Sequence, residues 1–157
     1  MCPAVSPIVA SHAAPASGVP RVSGELARTL WRRALVYLRE AEHLLSEGEY
    51  DVALVMAEQA AQLAVKAVYA RLLGGVPRGH NLRRLLGYLA SVLEEAGRRE
   101  EANSIRGFVT DNREGLILLE DAYVQGRYQV PGYTRTDAER GVNLAKRVIA
   151  LLERLTR

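Results

Sequence analysis

From residue 23 to the C-terminus, apolar residues return every three or four positions and nowhere alternate one by one over a sustained run. That spacing winds one apolar stripe along an α-helix, whereas a half-buried strand needs a period of two. Such a chain can bury its apolar surface only by packing helices on one another. Leu30, Trp31, Ala34, Leu35, Leu38, Ala41, Leu44 and Leu45 make a first stripe over about residues 24–47, with Ser23 as its expected N-cap and Gly48 as its stop. A second stripe runs through Leu54, Val55, Ala57, Ala61, Ala64, Val65 and Val68, with Asp51 as the expected cap and Gly74-Gly75 as its end. Asn81 caps a third, carried by Leu82, Leu85, Leu86, Leu89, Val92 and Leu93 and closed by Gly97. A fourth covers about residues 99–125, with Ile105, Phe108, Val109, Leu116, Leu119, Ala122 and Tyr123 inward. Gly107 and Gly115 lie inside it, so a bend or break is expected near Thr110–Asn112. Thr136-Asp137-Ala138-Glu139 reads as a capping box opening the last helix, with Val142, Ala145, Val148, Ile149, Leu152 and Leu155 inward. Short connections between long amphipathic helices predict an all-α, up-and-down antiparallel bundle of four to five helices.

Residues 1–24 break this pattern. They hold four of the six prolines and a single charge, Arg21, so they read as a disordered N-terminal extension to a bundle domain over 25–157. No basic residue precedes their apolar part and prolines interrupt it, which does not fit a secretory signal. No 18-residue apolar run is present to span a membrane, so a cytoplasmic location is expected. One cysteine, Cys2, and three histidines cannot build a disulfide scaffold or a zinc finger. The 21 basic and 18 acidic residues leave a net charge of +3, which permits a nucleic-acid partner without requiring one.

Phosphate-binding loops, dinucleotide-binding glycine fingerprints and helix-borne zinc motifs are missing from the sequence. Three places carry polar chemistry instead. Glu58, Gln62 and Lys66 follow one another at four-residue steps on one helix face, beside Gln59. They form either a solvated charge ladder or a polar groove between helices. His80 stands just before the Asn81 cap, where it can meet the exposed amides of the third helix or pack on a neighbouring loop. Finally, Asp121 to Tyr133 concentrates Tyr123, Arg127, Tyr128 and Tyr133 at a junction between helices. An arginine grips phosphate bidentately and a tyrosine stacks on a base or donates through its hydroxyl. The architectural alternative has Arg127 satisfying terminal carbonyls and the tyrosines covering the end of the bundle.

Taken in order, Tyr37 to Leu45, then Gly48-Glu49-Tyr50-Asp51, then Glu58 to Ala67, then Gly79-His80-Asn81-Leu82 and Gly126-Arg127-Tyr128, the chain resembles the HEPN domain family over about residues 28–156. The resemblance implies an up-and-down helical bundle that is commonly a homodimer. It also implies a relation to small nucleotidyltransferases, beside which many such domains are encoded, and to toxin–antitoxin pairs. Nuclease members of the family cut RNA without metal, using an arginine followed after four to six residues by a histidine. Here Arg39 and His43 are separated by three residues, Arg78 and His80 by one, and Tyr133 stands where Arg127 would need its histidine. The expectation is therefore a non-catalytic homodimer that binds a nucleotide or RNA, or partners a nucleotidyltransferase, with no cofactor, metal or catalytic residue. Arg127, Tyr128 and Tyr133, then Lys66 and His80, are the expected ligand-binding residues. The alternatives are a toxin-like endoribonuclease with an altered Arg127/Tyr133 site, and a purely structural dimerisation module. Ala53, Ala57, Ala60, Ala61, Ala64 and Ala67 offer close packing, either to a second copy or to the chain's own core.

Overall fold

The computed structural model describes the backbone of residues 21–128 and 132–156, and the side chains of all of these except 21–23 and Arg127. Most of the expected N-terminal extension lies outside the described residues. Six α-helices follow one another: α1 (Arg21–Ser46), α2 (Tyr50–Leu73), α3 (Leu82–Glu95), α4 (Arg99–Asp111), α5 (Arg113–Tyr128) and α6 (Arg135–Leu155). Among the described residues there is no strand, which makes the class all-α. No helix of the described residues is long and apolar enough to cross a membrane.

The number of helices exceeds the expected four to five because the fourth stripe divides at Asn112. There both the backbone N–H (3.0 Å) and the side-chain Nδ2 (2.8 Å) of Asn112 donate to the Phe108 carbonyl, and the helix stops. Other boundaries shift by a few residues. The first helix starts at Arg21, so Ser23 lies inside it rather than capping it. Asp51 sits in the first turn of α2, and Glu49 holds the N-cap position without a side-chain bond. The capping box is real but lies two residues earlier than expected: Thr134 accepts from the Asp137 N–H, and the Asp137 carboxylate accepts from the Thr134 N–H at 2.9 Å. Asn81 caps α3 as anticipated, its Oδ1 accepting from the Arg84 N–H at 2.9 Å.

Helix α2 is the axis of the fold, packing on α1, α5, α6 and α3. Its sequence explains that place: Ala53, Ala57, Ala60, Ala61, Ala64 and Ala67 are all buried within the chain, so their small side chains admit neighbouring helices rather than a second copy. Leu54, Val65 and Val68 of α2 meet Leu82, Leu86, Leu89 and Leu93 of α3, Leu116 and Leu119 of α5, and Val148 and Leu152 of α6 in one core. Full burial of each large aliphatic side chain contributes about 1.5–3 kcal/mol. The closest approach is at Gly141 of α6, where a Cβ would collide with Leu54 Cδ2 and lie 3.2 Å from Leu119 Cδ2. Gly126 does the same for α5, its missing Cβ leaving room for Val55 Cγ2 and the Asp51 carbonyl.

Candidate functional site

On α2, opposite in character to the alanine packing, runs a chain of polar side chains. Glu58 is fully buried and Gln62 is 5% exposed, so the solvated-ladder reading fails for both and the polar-groove reading holds. A carboxylate out of contact with water needs donors, because burying it bare is very costly. Gln59 Nε2 (2.8 Å) and Gln62 Nε2 (2.7 Å) supply them. Since the Gln62 amide nitrogen must face Glu58, its Oε1 must face the other way. There it accepts from Lys66 Nζ at 2.9 Å and meets His80 Nδ1 at 3.2 Å. An acceptor at that position assigns the proton to Nδ1 and leaves Nε2 of His80 for another partner. The Glu58 carboxylate thus fixes, through one amide, the orientation of an ammonium and an imidazole.

A second device fixes His80 from the other side. Its ring stacks on Tyr123 of α5 with centroids 5.0 Å apart and planes 21° apart. The loop before α3 is tied to α5 by Glu120, three residues before Tyr123. Glu120 accepts from the Arg83 N–H (3.0 Å), from Asn81 Nδ2 (3.0 Å) and from the Arg83 guanidinium (2.9 Å to Nη2). Such a charge-assisted fork holds geometry as well as adding stability.

Burial pushes the Lys66 ammonium below its ordinary pKa, against the opposing pull of the Glu58 charge. Its two remaining donor protons therefore sit in a partly desolvated place where an anion would be attracted more strongly than in water. Tyr133 occupies a different neighbourhood. It is half-buried against the core, and its pKa rises, first through burial and then through the charges of Asp121, Asp137 and Asp51. That ring of carboxylates repels an anion rather than inviting one. Tyr128, at the end of α5, is 77% exposed. The Arg127 side chain lies outside the described residues. Of the five expected binding residues, the fold thus joins Lys66 and His80 through Gln62. Among the described residues no group of three or more His, Cys, Asp or Glu side chains is placed to hold a metal ion.

Sequence reasoning missed Glu120 and Arg83 altogether, and gave Tyr123 both to the core and to the Arg/Tyr junction without joining it to His80. The available signal was positional: Glu120 follows the fully buried Leu116 by one helical turn, where a carboxylate requires a partner.

The molecule is thus an all-α bundle whose central helix carries a buried polar chain opening toward the α3 loop and α5. The profile of the HEPN domain matches residues 27–155, and the chain belongs to that family. Among solved structures it is similar to TT1696 from Thermus thermophilus, with 31% identity, 82% of this chain and 96% of that chain covered, and a TM-score of 0.62. It shares its fold with ST0689, described as an archaeal HEPN homologue, at 22% identity, 83% and 98% coverage, and a TM-score of 0.59. No curated protein matches the chain.

Proposed function

We propose that this HEPN protein is a non-catalytic binder that holds the phosphate of a nucleotide or of RNA at Lys66 and His80, with any transfer chemistry supplied by a partner nucleotidyltransferase. The observation that carries the reading is the buried Glu58–Gln62 pair, which aims Lys66 Nζ and His80 Nδ1 at one shared oxygen. A core helix gains nothing in packing from a fully buried Glu where Leu would serve, and buried ionic groups are weak contributors to stability. Their cost is understandable if they hold a cation ready for a ligand. The Tyr123 ring behind His80 adds an aromatic surface beside the cation, a pairing suited to a base next to its phosphate.

The test is equilibrium binding of labelled ATP and of a mixed-sequence RNA without added metal, to the parent protein and to Lys66→Met and His80→Ala. Each variant is expected to weaken binding about tenfold, and Lys66→Met to flatten its salt dependence. RNA is expected to remain intact. Unchanged affinity in both variants overturns the site. Discrete cleavage by the parent overturns the non-catalytic reading.

A further inference from the structure

Helix α1 has an outer face that no other part of the described chain covers. At about 100° of turn per residue, Leu35, Arg28, Arg39, Arg32, His43 and Val36 fall side by side in one stripe. All six are exposed, Leu35 at 37% and Val36 at 43%. Arg28, Arg32 and Arg39 make no ion pair or hydrogen bond with any other described side chain. One carboxylate, Glu25, lies within the stripe at its N-terminal end; Glu42 borders the Leu35 edge and is paired with Lys146 of α6, and Glu40 borders the Val36 edge. The opposite face, with Ala27, Leu30, Ala34 and Ala41, is buried against the bundle. The stripe therefore sets Arg28, Arg39 and Arg32, without an ionic partner among the described residues, between Leu35 on one edge and Val36 on the other, on a rigid helix anchored along its inner side.

We infer that this face docks an acidic amphipathic helix of a partner protein, whose apolar residues cover Leu35 and Val36 and whose carboxylates meet Arg28, Arg32 and Arg39. Charge and shape together select that occupant. A second copy of the chain packed by a two-fold axis between Leu35 and Val36 would set Arg32 against the second copy's Arg39, like charge on like. A nucleic-acid backbone would use the arginines but has nothing to place on Leu35 and Val36. Arginine also suits the role, because its fork takes a carboxylate through two parallel hydrogen bonds. This surface is separate from Lys66 and His80, and its test does not depend on theirs.

The probe is a fluorescent helical peptide with a row of glutamates along one face bordered on both sides by leucines, titrated by anisotropy against the full chain, with a scrambled peptide of equal composition and a labelled RNA alongside. Saturable binding of the patterned peptide is expected, weakened about tenfold or more in Leu35→Asp and in Arg32→Glu/Arg39→Glu. Lys66→Met should leave it unchanged. Circular dichroism of each variant checks that the helices persist. The proposal is overturned if the parent binds neither peptide, or binds the scrambled one equally. It is also overturned if the charge reversal abolishes RNA binding while Leu35→Asp changes nothing, since the face then reads nucleic acid. If Leu35→Asp halves the sedimentation mass of a parent dimer, the face joins two copies and the proposal again fails.

Discussion

Two faces of one helix solve the problem of burial in opposite ways. Toward α6 and α5, α2 presents Leu54 and Val55, and its partners answer with Gly141 and Gly126. That contact is held by shape, through dispersion and the removal of apolar surface from water. On its polar side α2 carries Glu58, Gln62 and Lys66, joined to one another by directed hydrogen bonds, and Gln62 Oε1 meets His80 of the α3 loop. The first face tolerates no change in volume; the second tolerates no loss of a partner. The difference separates what holds the bundle together from what the bundle holds in place.

The sharpest way to break the comparison is on the shape side. Leu54→Ala should cost about 3 kcal/mol in urea unfolding, because a fully buried side chain leaves a cavity that the helices cannot close. Gly141→Ala fills space that does not exist and should cost about 1–3 kcal/mol. The two lesions are complementary, since the added Cβ would collide with the Leu54 side chain that the other change removes. The double variant should therefore lose less than the two single losses combined. Strict additivity would show that the helices separate rather than repack.

On the hydrogen-bonded side the expected stability effects are smaller and the binding effects larger. Glu58→Gln keeps the volume but cannot accept from both Gln59 and Gln62 as the carboxylate does, and should cost about 1 kcal/mol. It should also free the Gln62 amide to turn, so that Lys66 and His80 lose their common acceptor and nucleotide affinity falls with little change in melting. A melting loss as large as that of Leu54→Ala would place Glu58 among the structural residues instead.

The same contrast explains what was legible in the sequence. Apolar spacing reports burial, so the stripes of α1, α2, α3 and α6 and the break near Asn112 were readable, except that Leu35, at the edge of the α1 stripe, is exposed rather than buried. The six alanines were also visible, but spacing alone does not say whether a small-residue face meets its own chain or another. Polar spacing is more ambiguous. Glu58, Gln62 and Lys66 at four-residue steps look alike on a solvated face and in a groove, because helical periodicity records that residues share a side, not what faces that side. The deciding contacts come from His80 and Tyr123, far along the chain from Gln62, brought over by the Glu120 brace that joins α3 to α5. Caps slipped for a related reason. Two threonines, Thr134 and Thr136, stand at the start of α6, and Thr134 won because it places Asp137 at the third helical position.

The smallest effect distinguishes the two faces by pH. Lys66 has its pKa lowered from 10.5, chiefly by burial, so in the window between its folded value and 10.5 the unfolded chain binds more protons. Stability should rise with pH through that window, and Lys66→Met should remove the rise. Tyr133 is shifted the other way, upward from 10.0, so its contribution is complete below pH 10.0 and is lost as pH climbs through the folded value. Tyr133→Phe should soften that alkaline loss. Tyr69 is raised more strongly still, by burial and by Tyr88, and contributes an alkaline loss common to the parent and both variants. Denaturant midpoints of the parent and the two variants between neutral pH and pH 11 therefore bend in opposite senses. Curves that bend alike would mean that Lys66 is solvated in the folded chain, which removes the desolvated ammonium on which the proposed phosphate site depends.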